Sequence, residues 1–245
     1  MKSLVCISHV PDTTTNIKYT PDGKSLDTTG VTFVIGPYDE YGLVRAIEFK
    51  EQTGQGHVTV LCVGGAEVEP TLRKALAIGA DAAVRIDGDA VDANFVAKQV
   101  AEYAQGKDFD FIFFGKESIA TNGSAVPGMV AEYLELPFIS QATSLEVKDG
   151  VASLHRELAG AYEVLESPIP CVISCQKGLA EWRIPNMRGI MMAKRKPLSA
   201  VPAAEVSAAV TTEKLELPPP KGDCQYIDAD NAAHLVSILN DKGLI

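Results

Sequence analysis

Phe109-Asp-Phe-Ile-Phe-Phe-Gly-Lys-Glu-Ser-Ile-Ala-Thr-Asn-Gly-Ser-Ala-Val-Pro-Gly-Met-Val-Ala-Glu-Tyr-Leu134 passes from one structural period to another across a single loop. Residues 109–114 are short, apolar and aromatic, as a buried strand is, whereas residues 124–134 carry Met129, Val130 and Tyr133 at helical spacing. The same alternation recurs toward the N-terminus. Residues 3–8, 57–63 and 82–86 read as strands. Residues 39–53 (Leu43, Ala46, Ile47, Phe49), 69–78 (Leu72, Ala75, Leu76) and 92–104 (Phe95, Val96, Val100) read as helices. Strand and helix in repeated alternation predict an α/β fold built on a doubly wound, mostly parallel sheet.

Beyond Ala142 the period changes. Residues 145–154 alternate about Asp149-Gly150, which predicts an added hairpin, because both residues tolerate the positive φ of a type I′ turn. Residues 171–174, introduced by Pro168 and Pro170, predict one more strand. A loop punctuated by Pro and Gly (184–189) follows, then a basic stretch, then an Ala/Val/Pro/Glu spacer over 201–220. Residues 230–242 close the chain as an amphipathic helix with Ala233, Leu235, Val236 and Leu239 near one face. The expected organisation is a domain over 1–200 and a C-terminal arm over 201–245, whose terminal helix needs a surface to dock on.

Composition narrows the class of function. The chain has 245 residues, 46% hydrophobic and 22% charged, with 22 Lys plus Arg against 32 Asp plus Glu and a formal net charge of -10. That balance argues against sequence-independent nucleic-acid binding, which needs surplus positive charge to displace counterions. No stretch approaches the roughly 18 apolar residues of a membrane span, and residues 1–10 lack the pattern of a secretory leader, so the expectation is a cytoplasmic protein. Five scattered cysteines (Cys6, Cys62, Cys171, Cys175, Cys224) read as thiols rather than a disulfide framework, and no His cluster accompanies them to make a zinc site.

The loop at 115–128 holds the chemistry. In open α/β sheets, ligands bind at the carboxyl ends of strands, where such a loop lies. Gly115 permits close backbone approach, Asn122-Gly123-Ser124 supplies amides at a helix start, and Pro127 suits a first helical turn. Unpaired amides and the helix dipole favour an anion. The alternative is a loop that only caps its helix. A second turn, Gly36-Pro-Tyr-Asp-Glu40, also opens a helix; Asp39 and Glu40 are favourable there with or without a ligand.

These segments together resemble the beta subunit of electron-transfer flavoprotein. The resemblance runs from Val10-Pro11-Asp12 through the turn at Gly36, Leu76-Ala-Ile-Gly-Ala-Asp81 and the loop at 115–128 to residues 184–196. It implies an electron carrier subunit, without catalytic residues of its own, paired with an alpha subunit that holds most of the FAD. It also implies a second adenine nucleotide in this chain, AMP in the common type or FAD in bifurcating members. Carried over by position, that nucleotide lies against Cys6, against Gly36, Pro37, Tyr38 and Asp39, and against Val63. On the loop it meets Gly115, Lys116, Glu117, Ser118, Asn122, Gly123, Ser124, Ala125 and Val126, mostly through backbone groups. The sequence departs from the family at Gly36, where Asn is usual, at Ala120, where an acid is usual, and at Ala125, where Gln is usual. The last two departures favour AMP over FAD. Residues 10–13 are expected to cover one side of the isoalloxazine, with Thr13 where some members have an aromatic residue.

Residues 183–196 resemble the family's recognition loop for flavin-dependent dehydrogenases. Met187 stands at the apolar anchor, with Ile184, Pro185, Ile190 and Met191 around it and Lys194 and Arg195 to steer the encounter. The alternative is a core-facing Met beside a solvated basic helix end. A different class of function, hydrolysis of a nucleotide or adenylyl transfer, would use Lys116 as a phosphate clamp and Glu117 as a base.

Overall fold

A computed structural model describes residues 1–245, which form two compact units: residues 1–17 with 28–213, and residues 18–27 with 214–245. In the larger unit β1 (Lys2–Cys6) leads to a short antiparallel ribbon, β2 (His9–Pro11) on β3 (Phe33–Ile35). Then come α1 (Pro37–Thr53), β4 (His57–Val63), α2 (Glu69–Ile78), β5 (Ala82–Asp87), α3 (Ala93–Ala104), β6 (Phe111–Gly115) and α4 (Val126–Leu134). The unit is completed by β7 (Phe138–Lys148), β8 (Val151–Leu158), β9 (Ala161–Pro168), β10 (Cys171–Cys175), α5 (Met187–Ala193) and β11 (Leu198–Pro202).

One nine-stranded sheet runs in the order β11-β5-β4-β1-β6-β10-β7-β8-β9. Its pairings are parallel from β11 to β7 and antiparallel over β8 and β9. The buried faces explain why. Leu43, Ala46 and Ile47 of α1 and Leu72, Ala75 and Leu76 of α2 pack with Val5, Val60, Phe111 and Phe113 on one face. On the other, Ala97, Val100 and Ala104 of α3 and Val130 and Ala131 of α4 pack with Leu4, Leu61, Ile112 and Phe114. Helices cover both faces, so the central strands are buried along most of their length and mainly apolar, as parallel strands are. The doubly wound architecture expected from the sequence is the observed one.

Chain order reverses direction across the sheet at β1. β4 and β5 lie successively on one side of it and β6 lies on the other. The carboxyl ends of β1 and β6 therefore open a crevice at a topological switch point, where ligands bind in this architecture.

The predicted hairpin is present: β7 and β8 pair from Lys148↔Val151 outward, and Asp149 and Gly150 have φ 52° and 80°. The sequence reading misses β9, the β2–β3 ribbon, α5 and β11. The last two matter most. Residues 184–189 are not all loop, since α5 begins at Met187, and the expected spacer begins inside β11, which pairs with β5 from Leu198↔Ala83 to Pro202↔Asp87. Residues after β11 stay with the larger unit through side chains of α3. Gln99 exchanges hydrogen bonds with the Ala204 backbone at 2.7 and 3.0 Å, and Asp92, which caps α3 at Phe95, also accepts the amides of Ala209 and Val210.

The smaller unit joins residues 18–27, closed by a Tyr19↔Leu26 bridge, to the C-terminal segment, where the Leu215 amide donates to Gly23 O at 2.8 Å. It ends in α6 (Ala232–Asp241), capped by the Asn231 side chain at His234 N. None of its residues is buried; Leu235 is 44% exposed and Val236 55%. A ten-residue helix with no buried face has little to hold it, because short helices are marginal in water without packing.

Candidate functional site

The register of the central strands brings the expected residues to one rim. Cys6 lies opposite Leu61 of β4, so Val63 ends β4 two residues further on; Val5 lies opposite Phe113, and Gly115 ends β6. The turn at Gly36 joins them through Asp39. Asp39 is buried, and its Oδ2 accepts the Ser8 amide at 2.8 Å and the Ser8 hydroxyl at 2.6 Å, while Oδ1 accepts the Gly115 amide at 2.7 Å. The sequence places Asp39 in a first helical turn, favourable there with or without a ligand, and the resemblance places it against the nucleotide. In the fold it is a strut between three segments, because the N-terminus of α1 sits directly over the ends of β1 and β6.

This strut explains two glycines. A Cβ on Gly36 would lie 2.3 Å from both Ser8 Oγ and Asp39 Oδ2, and a Cβ on Gly115 would lie 2.6 Å from Asp39 Oδ1 and 2.9 Å from Asp39 N. A side chain at Gly36 would need the space that the Ser8 hydroxyl and the Asp39 carboxylate fill. Ser8 is the residue that sequence reasoning missed, and a serine after a strand carries no signal of such a contact.

Burial pushes the Asp39 carboxyl up to about 6, against the opposing pull of its three donors. Cys6, Cys62 and Cys175 feel the same carboxylate and are pushed up too, mainly by burial, Cys62 to about 12, so they are neutral thiols. All five cysteines are free. The buried Cys6 side chain packs with the α3 and α4 layer, which leaves its backbone for any ligand at the rim.

Along the loop, the first two amides are already used: Gly115 N–H by Asp39 and Lys116 N–H by Cys175 O at 2.9 Å. Further on the backbone twists through two left-handed residues, Asn122 (φ 50°) and Ser124 (φ 49°), not through Gly123. That twist delays α4 to Val126, two residues after the start expected from its periodicity. The amides of Gly123, Ser124, Ala125 and Val126 find no acceptor in the chain, and Gly123 and Ser124 are exposed. A left-handed residue followed by a right-handed one, as at Ser124-Ala125, turns successive amides toward a common point, a concavity suited to an anion. Lys116 Nζ lies 4.6 Å from the Tyr38 ring centre and 3.4 Å from Glu117 Oε1. Glu117 in turn accepts the Ser124 hydroxyl at 3.4 Å. Ser118 closes the loop's first turn by accepting the amides of Thr121 and Asn122.

A second surface rises on α5, away from the strand ends. Ile184 is 77% exposed, Met187 75% and Met191 68%; Ile190 is also exposed and Pro185 is half-buried. A core-facing Met187 is thereby excluded. The apolar side chains stand on a braced base. Arg183 makes two 3.0 Å bonds to the Glu51 carboxylate, Asn186 caps Gly189 N at 2.8 Å, and Arg73 donates to Ala193 O and Lys196 O, both at 2.8 Å. Lys196 reaches Leu76 O at 2.9 Å and Ala80 O at 2.5 Å, so it caps α2. Lys194 and Arg195 are exposed. Trp182, 59% exposed, adjoins this surface in sequence.

Fold and rim together define a doubly wound α/β protein with a crevice at its switch point. A family-wide sequence model described as the electron transfer flavoprotein domain matches residues 24–206. An electron transfer flavoprotein subunit beta of Syntrophomonas wolfei is 36% identical over 222 residues, covering 90% of this chain and 87% of the relative. The subunit of the same name in Bacillus subtilis is 34% identical, covering 91% of each chain. A relative named caffeyl-CoA reductase-Etf complex subunit CarD, from Acetobacterium woodii, is 28% identical over the full length of both. The chain belongs to the electron transfer flavoprotein family, with its similarity on the beta-subunit side. No helix is long and apolar enough to cross a membrane.

Proposed function

We propose that this chain is the beta subunit of a heterodimeric electron carrier, that it binds AMP at the rim, and that it relays electrons from flavin-dependent dehydrogenases through FAD held mainly by an alpha subunit. The observation that carries the nucleotide part is the run of amides from Gly123 to Val126 without acceptors, at the carboxyl end of β6 and the start of α4. A phosphate satisfies several such donors at once and lies in the favourable field of the helix. Glu117 opposes a second negative charge there, and its contact with Lys116 offsets it. The flavin supplies the redox chemistry; this chain's residues bind, orient and cover it.

AMP rather than FAD is favoured by Ala120 and Ala125, which stand where bifurcating members carry an acid and a Gln. A bifurcating-type subunit with its own FAD is the second reading. Nucleotide hydrolysis is disfavoured because Lys116 is spent on Glu117 and Tyr38, and the nearest buried carboxylate, Asp39, is spent on Ser8 and Gly115. Coexpressed with its alpha subunit, the chain is expected to purify as a yellow complex that bleaches on reduction, with one FAD and one AMP released per heterodimer. Two FAD and no AMP would favour the bifurcating reading, and neither nucleotide would overturn both.

Gly123→Val isolates the phosphate contact. Nothing lies within 4 Å of a Cβ there and the φ is not positive, so the fold loses little. A branched side chain beside the free amides is expected to cut AMP content per heterodimer severely with an unchanged denaturation midpoint; full occupancy would move the phosphate elsewhere.

The arm completes the assembly. With Leu235 and Val236 exposed, α6 is expected to bury that face on the alpha subunit. Amides of residues 235–241 should exchange within seconds in the isolated chain and become strongly protected in the heterodimer. Equal protection in both states would show that the arm docks on its own chain. A cytoplasmic location accords with the free thiols.

A further inference from the structure

We propose that Asp39 is a positioning residue for the bound adenylate: its carboxylate holds the end of β1 and the start of the phosphate loop in one register, through Ser8 and Gly115, without touching the ligand. The inference rests on the nucleotide reading above and assigns a role to a side chain that backbone contacts alone leave without one.

Geometry carries it. Asp39 is 5% exposed, and each carboxylate oxygen has its own task, Oδ2 on Ser8 and Oδ1 on Gly115. Ser8 follows β1 and Gly115 opens the loop, so one side chain spans both walls of the crevice. Their separation is set by the width of a single carboxylate.

The groups facing Asp39 include no cation. They are the thiols of Cys62 on β4 and Cys175 on β10, together with Glu40 on its own helix, while Cys6 of β1 feels the charge from the other face of the sheet. Only three donors and the positive end of α1 offset the charge, and a buried charge without a counter-ion is costly. The sign of the linkage follows. With its carboxyl raised to about 6 from an ordinary 3.8, folded Asp39 takes up a proton that the unfolded chain does not bind in that window. Its titration therefore favours the folded state as pH falls through 6, and an ionised Asp39 at neutral pH works against fold stability. Such a residue is explained by what its charge arranges.

Protonation undoes the arrangement. A neutral carboxyl keeps one good acceptor oxygen and gains an O–H that the Ser8 hydroxyl can accept, so the amides of Ser8 and Gly115 no longer both have a strong acceptor and one link weakens. Asn at this position has the same limitation at every pH.

The test is AMP affinity of the heterodimer, stripped of nucleotide and titrated calorimetrically at pH 7.5 and 5.5. Losing one charge-assisted link is expected to weaken Asp39→Asn about tenfold at pH 7.5. The phosphate of AMP itself titrates in this range, and its contribution persists in the variant. Wild type should therefore lose affinity more steeply than Asp39→Asn between the two pH values. Wild-type affinity in Asp39→Asn, or equal pH slopes, overturns the proposal. Should Asp39→Asn fail to fold, Ser8→Ala decides: it removes one donor and keeps the carboxylate, and is expected to bind severalfold more weakly at pH 7.5, unchanged affinity being the contrary result. If the wild-type heterodimer binds no AMP, the nucleotide reading falls and this inference with it; if it binds AMP and the variants bind alike, only this inference falls.

Discussion

Met187→Ala is expected to reduce electron transfer with a cognate dehydrogenase by more than tenfold while leaving the flavin spectrum, AMP content and denaturation midpoint at wild-type values. Three quarters of Met187 is exposed, so truncation opens no cavity in this chain. In a complex the same side chain would fill a desolvated pocket, and losing such an anchor costs about 2 kcal/mol or more. Its thioether is flexible and polarizable, which suits one anchor to several partners. The base beneath it is held by Arg183 on Glu51, Arg73 on Ala193 and Lys196, and Lys196 on α2. The anchor is thus presented with little ordering left to do on binding. Neutralising Lys194 or Arg195 should instead lower the association rate chiefly at low ionic strength, as exposed rim charges do. Transfer rates measured against dehydrogenase concentration at two salt concentrations separate these effects. A Met187→Ala protein with wild-type transfer would remove this residue from the interface.

Gly115→Ala is expected to be the most damaging small substitution at the rim. The new methyl would stand 2.6 Å from Asp39 Oδ1, 2.8 Å from Tyr38 Cβ and 2.9 Å from Asp39 N, atoms of a helix start rather than the mobile end of a side chain. Either α1 lifts or the loop shifts, and overpacking of this kind costs about 1–3 kcal/mol. Both responses part Asp39 from the Gly115 amide, so AMP content should fall together with the urea midpoint at unchanged m-value. Gly123 is the internal control for stability alone, because a methyl there meets nothing within 4 Å. If Gly115→Ala keeps both stability and nucleotide, the close approach of α1 to β6 is looser than the structure shows.

The route from sequence to site was legible in some places and closed in others. Strands 57–63 and helix 69–78 coincide with β4 and α2 to the residue, because their apolar periods are unbroken and their ends are marked. The type I′ hairpin was legible because Asp149-Gly150 states its backbone geometry locally. At the loop, the amide-rich run was legible but its conformation was not: the left-handed residues are Asn122 and Ser124, although glycine is the usual signal. Asp39 was legible as a charge suited to a first helical turn but not as a strut to Ser8 and Gly115, because periodicity says which face of a helix is buried, but not what lies over its first turn.

By itself, then, the sequence determined what local chemistry and repetition can encode. These are the alternation that makes a doubly wound sheet, the hairpin turn, the amides at a helix start, and a family resemblance whose motifs lie at fixed spacing. Tertiary structure alone decided which strands are neighbours, and with that the joining of Ser8, Asp39 and Gly115 across 31 and 76 residues of chain. It also decided α5 and β11. Seven residues with a glycine among them make a poor helix in isolation, and a five-residue strand ending in Pro202 has weak local preference. Both form because distant partners reward them: α2 accepts Gly189 against Ala77 O and gives up Arg73 to the end of α5, and the open edge of β5 offers its backbone to residues 198–202. Contacts so far apart in the chain leave no period in the sequence, since the free energy that selects them belongs to the assembled packing and not to any segment.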